Sequence, residues 1–459
     1  MGILVRNAET VGILDPDFRE IRGGWVLLRG GAIAGIGGPG EEPEEGVGET
    51  IDASGMVVLP GLVNTHHHFY QTLTRAFPGA TDVGLFPWLT TLYPVWARLS
   101  REQVRVAAEM ALAELLLSGC STSSDHHYLF TKELTDPVDA AIEAAVRLGA
   151  RFHATRGSMS LSEKDGGLPP DSVVQEEETI LRDCRRVVEA HHDPSPGSMV
   201  RVALAPCSPF SVTEDLMRET AALAEAYEVR LHTHLAETKD EEEYCLARFG
   251  LRPLDYLEKT GWLSDRAWVA HGIHFDDGEI GRLGAARCGV AHCPSSNMRL
   301  ASGIAPTLDL AAAGVPLGLG VDGSASNDAS SLSAEARQAL LLGRIRYGAG
   351  KLSADEALRW ATRGGGGGAR TGRHRPARAR LSRRRGPLLP RSDRVLRRRR
   401  PPRGDPPLRA GPGPHALRGG PGGGAGGEAR GGRLRRDPSP SRRRGPPPSG
   451  GVARAPALC

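Results

Sequence analysis

Long apolar stretches are missing from this chain of 459 residues. No run approaches the roughly 18 consecutive apolar residues that mark a membrane-spanning helix. The first residues also lack the charged and then apolar pattern of a secretory signal peptide. The sequence therefore predicts a soluble, cytoplasmic protein that has no membrane partner.

Cysteine is scarce, and the seven cysteines are scattered without a CxxC pair. They are Cys120, Cys184, Cys207, Cys245, Cys288, Cys293 and Cys459. This spacing argues against a disulfide framework and against a zinc site built from cysteines. It suits a reducing compartment, where thiols stay free.

The last part of the chain lacks eight residue types altogether. Residues 364–459 contain no Lys, Asn, Gln, Ile, Met, Phe, Tyr or Trp. They hold 25 Arg against four acidic residues, a balance of +21, so residues 1–363 carry −17 of the chain's net +4. With so few large apolar side chains the tail cannot build a core, which predicts disorder.

Two interpretations of this tail stay open. A basic arm could bind nucleic acid through phosphate contacts. Alternatively, the codons of Arg, Gly, Pro and Ala are GC-rich, so the tail could be a GC-rich gene translated in the wrong frame. The abrupt change after Arg363 favours the frameshift, which argues against nucleic acid as a partner. A damaged, inactive chain remains a further alternative.

Residues 1–363 contain short apolar runs that end in histidine or an acid. The four clearest stretches are 59–71, 229–237, 268–274 and 316–323. Each run is typical of a buried parallel strand. Because residues two apart in a strand point to the same side, His66 and His68 can aim two imidazoles at one metal ion. Functional residues at the carboxyl ends of parallel strands indicate a (β/α)8 TIM barrel.

Strand and helix signals alternate through residues 59–363, as such a barrel requires. The eight strands are predicted near 58–65, 120–125, 151–155, 200–205, 229–234, 267–271, 289–293 and 316–321. Residues 1–58 predict short strands at Ile3–Val5, Trp25–Arg29, Ala32–Ile36 and Val57–Val58, separated by Gly-rich turns and by an acidic loop at Glu41–Glu49. We therefore expect three parts, with boundaries 1–58, 59–363 and 364–459.

Two further segments carry specific predictions. Residues Ser100–Ser118 predict a helix in which Ser100 is the N-cap, Gln103 completes a capping box and Gly119 is the stop. Before it lies a long insertion, 69–99, with four large aromatic residues. They are Phe86, Trp88, Tyr93 and Trp96. A long loop on a catalytic face predicts a lid with aromatic walls for a flat ring, and simple packing of these aromatics is the alternative.

Four motifs that contain possible metal ligands or acid–base residues follow one another along the chain. They are His66-x-His68, His234-x-x-Glu237, His271 and Asp322-Gly323-x-x-x-Asn327. With these motifs the chain resembles the amidohydrolase superfamily over residues 1–363, specifically the aminohydrolase branch that deaminates purines, pyrimidines and triazines. The resemblance implies a (β/α)8 barrel beside a small β-sandwich built from both chain ends. That sandwich would be incomplete here, since the tail offers no strands.

Stretches 66–71, 124–128 and 205–210 are most similar to bacterial 8-oxoguanine deaminases. The resemblance implies hydrolytic deamination of a purine-type heterocycle, such as 8-oxoguanine, guanine or isocytosine, with release of ammonia. Its partner would be a small heterocyclic substrate, and a homo-oligomer is compatible with it. A triazine aminohydrolase similar to hydroxydechloroatrazine ethylaminohydrolase is the alternative within the branch.

The resemblance also implies one divalent metal ion. Its ligands would be His66, His68, His234 and Asp322. Zinc suits such ligands best, and iron or manganese would also fit. Two-metal relatives use a carboxylated lysine on a central strand, and none of the five lysines before the tail lies at such a strand end. The other zinc-deaminase design needs a P-C-x-x-C motif, and the stretch at Pro206-Cys207 lacks the second cysteine.

Catalytic roles follow from the same resemblance. Asp322 would take a proton from the attacking water, which His271 would hold or polarise. Glu237 would protonate the ring nitrogen beside the attacked carbon and later help ammonia leave. The plain alternatives are a turn aspartate, a core histidine and a solvated charge, respectively.

Substrate contacts are predicted at four positions. The resemblance to guanine-deaminating relatives implies that Gln71 binds the base edge, which suits an amide that donates and accepts at once, and a packing contact of the lid loop is the alternative. His127, Tyr128 and Cys207 are further pocket candidates, with supporting structure as the alternative for each. His232, His274 and His292 are expected to be core residues or to support the ligands, since a ligating imidazole needs a partner for its second nitrogen.

Overall fold

The computed structural model describes residues 1–364. Residues 1–58 form two small sheets. Their strands are β1 (Gly2–Arg6), β2 (Thr10–Gly12), β3 (Glu20–Arg22), β4 (Trp25–Arg29), β5 (Ala32–Gly37), β6 (Val47–Asp52) and β7 (Val57–Val58). One sheet runs in the order β5-β4-β1-β6 and the other in the order β3-β2-β7. Val5 and Val26 of the first sheet share an apolar cluster with Val11 of the second, so the sheets face each other as a sandwich.

The four strands predicted in this region are confirmed, but three strands escaped prediction. The prediction of an acidic loop at Glu41–Glu49 is wrong for its last three residues, which belong to β6. This strand pairs in parallel with β1. Most residues of β6 are at least partly exposed at the edge of the sheet. An exposed edge strand can carry polar residues on both faces, so it shows no apolar alternation in the sequence.

Eight parallel strands within residues 1–364 close the barrel. They are β8 (Leu62–Asn64), β9 (Cys120–Ser124), β10 (Arg151–Ser158), β11 (Val200–Pro206), β12 (Arg230–Leu235), β13 (Ala267–His271), β14 (Gly289–His292) and β15 (Leu317–Leu319). The order around the barrel is β10-β11-β12-β13-β14-β15-β8-β9. Every predicted strand overlaps an observed one, so the (β/α)8 fold is confirmed. Because β15 neighbours β8, the chain's first and last barrel strands bring their end residues together.

Helices surround and connect these strands. They are α1 (Leu85–Trp96), α2 (Arg101–Leu117), α3 (Pro137–Leu148), α4 (Glu177–His191), α5 (Glu214–Ala226), α6 (Lys239–Phe249), α7 (Pro253–Lys259), α8 (Asp277–Ala286), α9 (Pro294–Arg299), α10 (Thr307–Ala312), α11 (Ser324–Asn327), α12 (Leu332–Tyr347) and α13 (Ala354–Arg359). A π-helical turn, Trp360–Gly364, follows α13. The capping box of Ser100 and Gln103 forms as predicted at the start of α2. The helices of residues 1–364 all lack the length and apolar content that crossing a membrane requires.

The insertion 69–99 forms a short 3-10 helix, Phe69–Thr74, and then α1. Its aromatics divide between two roles. Trp88 lines a cavity at the carboxyl ends of the barrel strands, as predicted for a wall. Tyr93 and Trp96 are fully buried and pack against each other, so the wall prediction is wrong for them. Phe86 contacts Phe210, which does line the cavity.

The predictions of disorder and of a frameshift in the tail concern 364–459. Apart from Gly364, these residues lie outside the described part of the chain.

Candidate active site

Four donor side chains converge at the carboxyl ends of three strands. His66 and His68 follow β8, His234 lies in β12, and Asp322 follows β15. The Nε2 atoms of His68 and His234 are 3.1 Å apart. Oδ1 of Asp322 lies 3.3 Å from Nε2 of His66 and 3.2 Å from Nε2 of His68. Donors bound to one ion at about 2.1 Å lie roughly 3 Å from each other, so these distances suit a shared ion.

Hydrogen bonds to carbonyls fix the tautomers of His68 and His234. Nδ1 of His68 lies 2.7 Å from the carbonyl oxygen of His126, and Nδ1 of His234 lies 2.7 Å from that of Cys207. A carbonyl oxygen only accepts, so both Nδ1 atoms carry the hydrogen. The lone pair of each ring is therefore on Nε2, which faces the other donors.

Two successive hydrogen bonds through His232 fix the tautomer of His66. Nδ1 of His232 donates to the carbonyl of Trp268 at 2.9 Å, so Nε2 of His232 accepts from Nδ1 of His66 at 2.8 Å. The lone pair of His66 is then on Nε2, a buried atom without a hydrogen-bond partner in residues 1–364. His232 thus supports a ligand-type histidine, as expected for one of the additional histidines.

The electrostatics of these rings suits a cation. Burial lowers the pKa of His66 and His234 well below the usual value, which leaves both rings neutral. Burial also opposes the charged form of His68, but hydrogen bonding and charge from Asp322 outweigh it and raise the pKa of His68. Two neutral imidazoles, Nε2 of His68 and the carboxylate of Asp322 therefore surround one point, where a divalent ion would take the place of any proton on His68.

Glu237 and His271 face each other beside this group. Oε2 of Glu237 lies 3.4 Å from Nε2 of His271. Nδ1 of His271 donates to Oδ1 of Asn297 at 2.9 Å, so Nε2 of His271 carries a lone pair. Burial, and then the negative charge of Asp322, raises the pKa of Glu237 to about 8. The raised pKa favours the protonated carboxyl of Glu237, which can direct its hydrogen towards the lone pair of His271.

Three residues of the site lie in the left-handed backbone region without being glycine. They are Ala236 (φ +54°), His271 (φ +74°) and Asp322 (φ +61°), at the ends of β12, β13 and β15. Such conformations are unfavourable for residues with a Cβ atom and persist only where the surroundings hold them. Because all three lie at the site, the fold holds unfavourable backbone conformations there, and these set the directions of the side chains.

One partly open cavity, with about 370 Å³ of empty space when open solvent is included, brings most of the predicted residues together. It is lined by His68, Gln71, Leu85, Trp88, Leu89, Tyr128, Cys207, Phe210, His234, Glu237, His271, Leu300, Asp322 and Ser326. The lining combines apolar side chains with polar ones, and the apolar residues are Leu85, Trp88, Leu89, Phe210 and Leu300. This combination is typical of a pocket for a small organic ring with a few oriented polar groups.

Three of the four predicted substrate contacts line this cavity. They are Gln71, Tyr128 and Cys207. Gln71 is buried, and its Oε1 has no hydrogen-bond partner among the described residues. His127 does not line the cavity; its Nε2 donates to the carbonyl of Leu129 at 2.8 Å and its ring packs against Tyr70 and Phe130.

Four residues near the site were not singled out from the sequence. They are His126, Glu241, Asn297 and Ser326. For Glu241 a signal existed, since Thr238-x-x-Glu241 has the spacing of a capping box. For Asn297, which follows a different strand from its partner His271, only the closed barrel supplies the contact.

A parallel eight-stranded barrel with a His/Asp group at its carboxyl ends defines a class of (β/α)8 hydrolases whose site could hold a metal. The pattern of the Amidohydrolase family matches residues 57–366, and the chain belongs to that family. With deaminases among its relatives, it is a hydrolase acting on C–N bonds.

Three relatives illustrate the range of the family near this chain. It is 59% identical to the 8-oxoguanine deaminase of Pseudomonas aeruginosa over 341 residues, which cover 74% of this chain and 76% of that protein. It is 40% identical to the hydroxydechloroatrazine ethylaminohydrolase of Pseudomonas sp. (strain ADP), over 74% of this chain and 68% of that one. The crystal structure of atrazine chlorohydrolase TrzN from Arthrobacter aurescens TC1 complexed with zinc matches with a TM-score of 0.76 and 35% identity, over 80% of this chain and 82% of that one.

Proposed function

We propose that this protein hydrolytically removes the amino group of a purine-type heterocycle, with 8-oxoguanine as the preferred substrate, and releases ammonia. The observation that carries the proposal is the position of Glu237, which lines the same cavity as His68, His234 and Asp322. The relative named 8-oxoguanine deaminase supports the choice of substrate.

In this proposal His66, His68, His234 and Asp322 hold one divalent ion. Zinc agrees with three imidazoles and a carboxylate and with the zinc in the structure of TrzN, while iron or manganese would suit the same donors. When bound, such an ion acts as a Lewis acid and lowers the pKa of water towards about 7.

The protein's own groups then handle the protons. Asp322 accepts the proton of the attacking water, and His271 orients that water through the lone pair that Asn297 fixes on Nε2. Glu237, whose pKa is raised by burial, delivers its hydrogen to the ring nitrogen beside the amino-bearing carbon. Glu237 then takes back a proton from the newly attached hydroxyl group, and the proton held by Asp322 passes to the amino group, which leaves as ammonia.

The cavity walls explain the preference for a flat lactam ring. The Gln71 amide offers an acceptor without a partner and donors, which match the adjacent C=O and N–H of a purine edge. Trp88 and Phe210 provide apolar surface for the ring. Tyr128 and Cys207 also line the cavity and supply weaker polar contacts.

An assay of ammonia release tests the proposal. We expect turnover of 8-oxoguanine, weaker turnover of guanine or isocytosine, and about a 10²-fold or larger loss in Glu237→Gln. The proposal would be contradicted if the metal-loaded protein released no ammonia from any of the three substrates.

A second candidate is a triazine aminohydrolase that releases an alkylamine. The ethylaminohydrolase relative favours it, and so does the apolar wall of Leu85, Leu89 and Leu300, which could accept an N-ethyl group. Release of ethylamine from an N-ethyl hydroxytriazine at a higher kcat/KM than deamination of 8-oxoguanine would establish this candidate instead.

A further inference from the structure

Glu335 lies in the first turn of α12, and its side chain is buried. It does not line the cavity, but its two carboxylate oxygens bind two loops that lead into the site. Oε1 accepts a hydrogen bond from Nδ2 of Asn327 at 2.7 Å, and Oε2 accepts one from the backbone N–H of Ser295 at 3.2 Å. Asn327 ends α11 after β15, and Ser295 lies at the start of α9 after β14. One buried carboxylate therefore joins the loops that follow two neighbouring barrel strands.

The loop after β15 carries Asp322. The amide of Asn327 has two hydrogens on Nδ2, which suits its two acceptors, Glu335 and the carbonyl oxygen of Val321 at 2.5 Å. The N–H of Val321 donates to Oδ1 of Asn64 at 2.9 Å. The backbone is thus held on both sides of Val321, directly before the left-handed conformation of Asp322. This contact gives a role to Asn327, the last residue of the motif that begins at Asp322.

The loop after β14 carries the partner of His271. Ser295 lies in the first turn of α9, where backbone N–H groups have no acceptor within the helix. The carboxylate of Glu335 satisfies one of these groups and holds the start of α9 in place. Two residues further on, Oδ1 of Asn297 accepts the hydrogen of Nδ1 of His271 at 2.9 Å. A displacement of α9 would therefore disturb the orientation of the His271 ring.

We propose that Glu335 is a positioning residue that holds Asp322 and His271 in place through these two loops. The inference rests on the proposed function and deepens it, because both residues act on the attacking water there. Both partners of Glu335 donate, so each of its oxygens has to accept. In Glu335→Gln, which has nearly the same size, the NH2 group would oppose one of the two donors.

Zinc affinity tests the connection to Asp322 without relying on activity. We expect Glu335→Gln to bind Zn2+ about tenfold more weakly than the parent in competition with a chelator, because groups that support a metal ligand contribute to affinity on this scale. At saturating Zn2+, we expect kcat for 8-oxoguanine to fall about tenfold or more while KM changes less than about twofold. The reason is that Glu335 lies outside the cavity and acts only through other residues.

Glu279→Gln is the matched control for a loss of stability alone. Glu279 is similarly buried and accepts from a backbone N–H at a helix start, but its carboxylate pairs with Arg252 and Asp276 instead of the two loops. Both variants should unfold more easily, and only Glu335→Gln should lose zinc affinity or kcat. Unchanged zinc affinity and kcat in Glu335→Gln, equal losses in both variants, or a change in KM alone would overturn the proposal.

Asn327→Ala provides a second variant on the same connection. It removes the link from Glu335 to the backbone before Asp322 and leaves Ser295 its acceptor, so zinc affinity should fall here too. We expect the double variant to lose less affinity than the product of the two single losses, as residues that act through one contact do. Fully multiplicative losses would overturn this route to Asp322. If the parent binds zinc but deaminates no substrate, the proposed function fails, whereas the comparison of zinc affinities still decides the role of Glu335.

Discussion

Glu241 holds the backbone of Glu237. The two carboxylate oxygens of Glu241 accept hydrogen bonds from the N–H groups of Ala236 and Glu237, each at 2.9 Å. Ala236 is the residue with the left-handed conformation at the end of β12. A fully buried carboxylate therefore stabilises the turn that directs Glu237 into the cavity.

The first prediction concerns this contact. Glu241→Gln replaces one accepting oxygen by an NH2 group that opposes a backbone N–H, so the turn should loosen. We expect kcat to fall about tenfold or more while KM changes little, because Glu241 touches no part of the cavity. Steady-state kinetics would measure both.

A matched control for this variant is Glu279→Gln. Glu279 is also buried at the first turn of a helix, where it accepts from the N–H of Asp276. It lies away from the cavity, so its loss should lower stability without lowering kcat. Equal kinetic losses in both variants would show that Glu241 has no positioning role.

The second prediction concerns Glu237. Glu237→Gln keeps the size of the side chain but cannot deliver a proton, so kcat should fall on the order of 10²-fold or more. The metal content, measured by elemental analysis, should stay at one ion per chain. Near-normal turnover would exclude Glu237 from proton transfer.

The third prediction joins Gln71 and Gly323. A Cβ atom on Gly323 would lie 1.7 Å from Oε1 of Gln71, so Gly323→Ala should displace the amide. We expect Gly323→Ala and Gln71→Ala each to reduce kcat/KM for 8-oxoguanine, and the double variant to be no worse than Gln71→Ala alone. Such non-additivity is the signature of residues that act through one contact. Fully additive losses would contradict this account of Gly323.

The fourth prediction is the pH dependence of stability in metal-free protein. The carboxyl of Glu237 has a pKa of about 8 in the folded state against an ordinary 4.5. Below pH 4.5 it is protonated in both states, whereas between 4.5 and 8 the unfolded state ionises more readily and folding is penalised. Glu237→Gln should therefore be more stable than the parent, by a margin that grows with pH and levels off above about pH 8. Urea unfolding between pH 5 and 9 would measure this margin, and a margin independent of pH would contradict the buried, protonated state.

Local sequence patterns predicted the features that depend on neighbours in the chain. The apolar runs predicted all eight barrel strands, and the spacing of His66 and His68 predicted a shared direction of their side chains. The strand β6 was missed because its exposed edge position needs no apolar pattern. The contacts of Asn297 with His271 and of Glu241 with Ala236 depend on how strand ends and helix starts meet in three dimensions. His126 had no motif of its own, and only the closed barrel brings it to the other rings.

The most direct test of the central claim measures ammonia release from 8-oxoguanine by one preparation in three states: as loaded with metal, after removal of the metal by a chelator, and after addition of one equivalent of Zn2+. The account predicts that activity is lost with the metal, returns with the single equivalent, and exceeds the release of ethylamine from an N-ethyl hydroxytriazine. Full activity in the metal-free protein, or no deamination of 8-oxoguanine in any state, would contradict it.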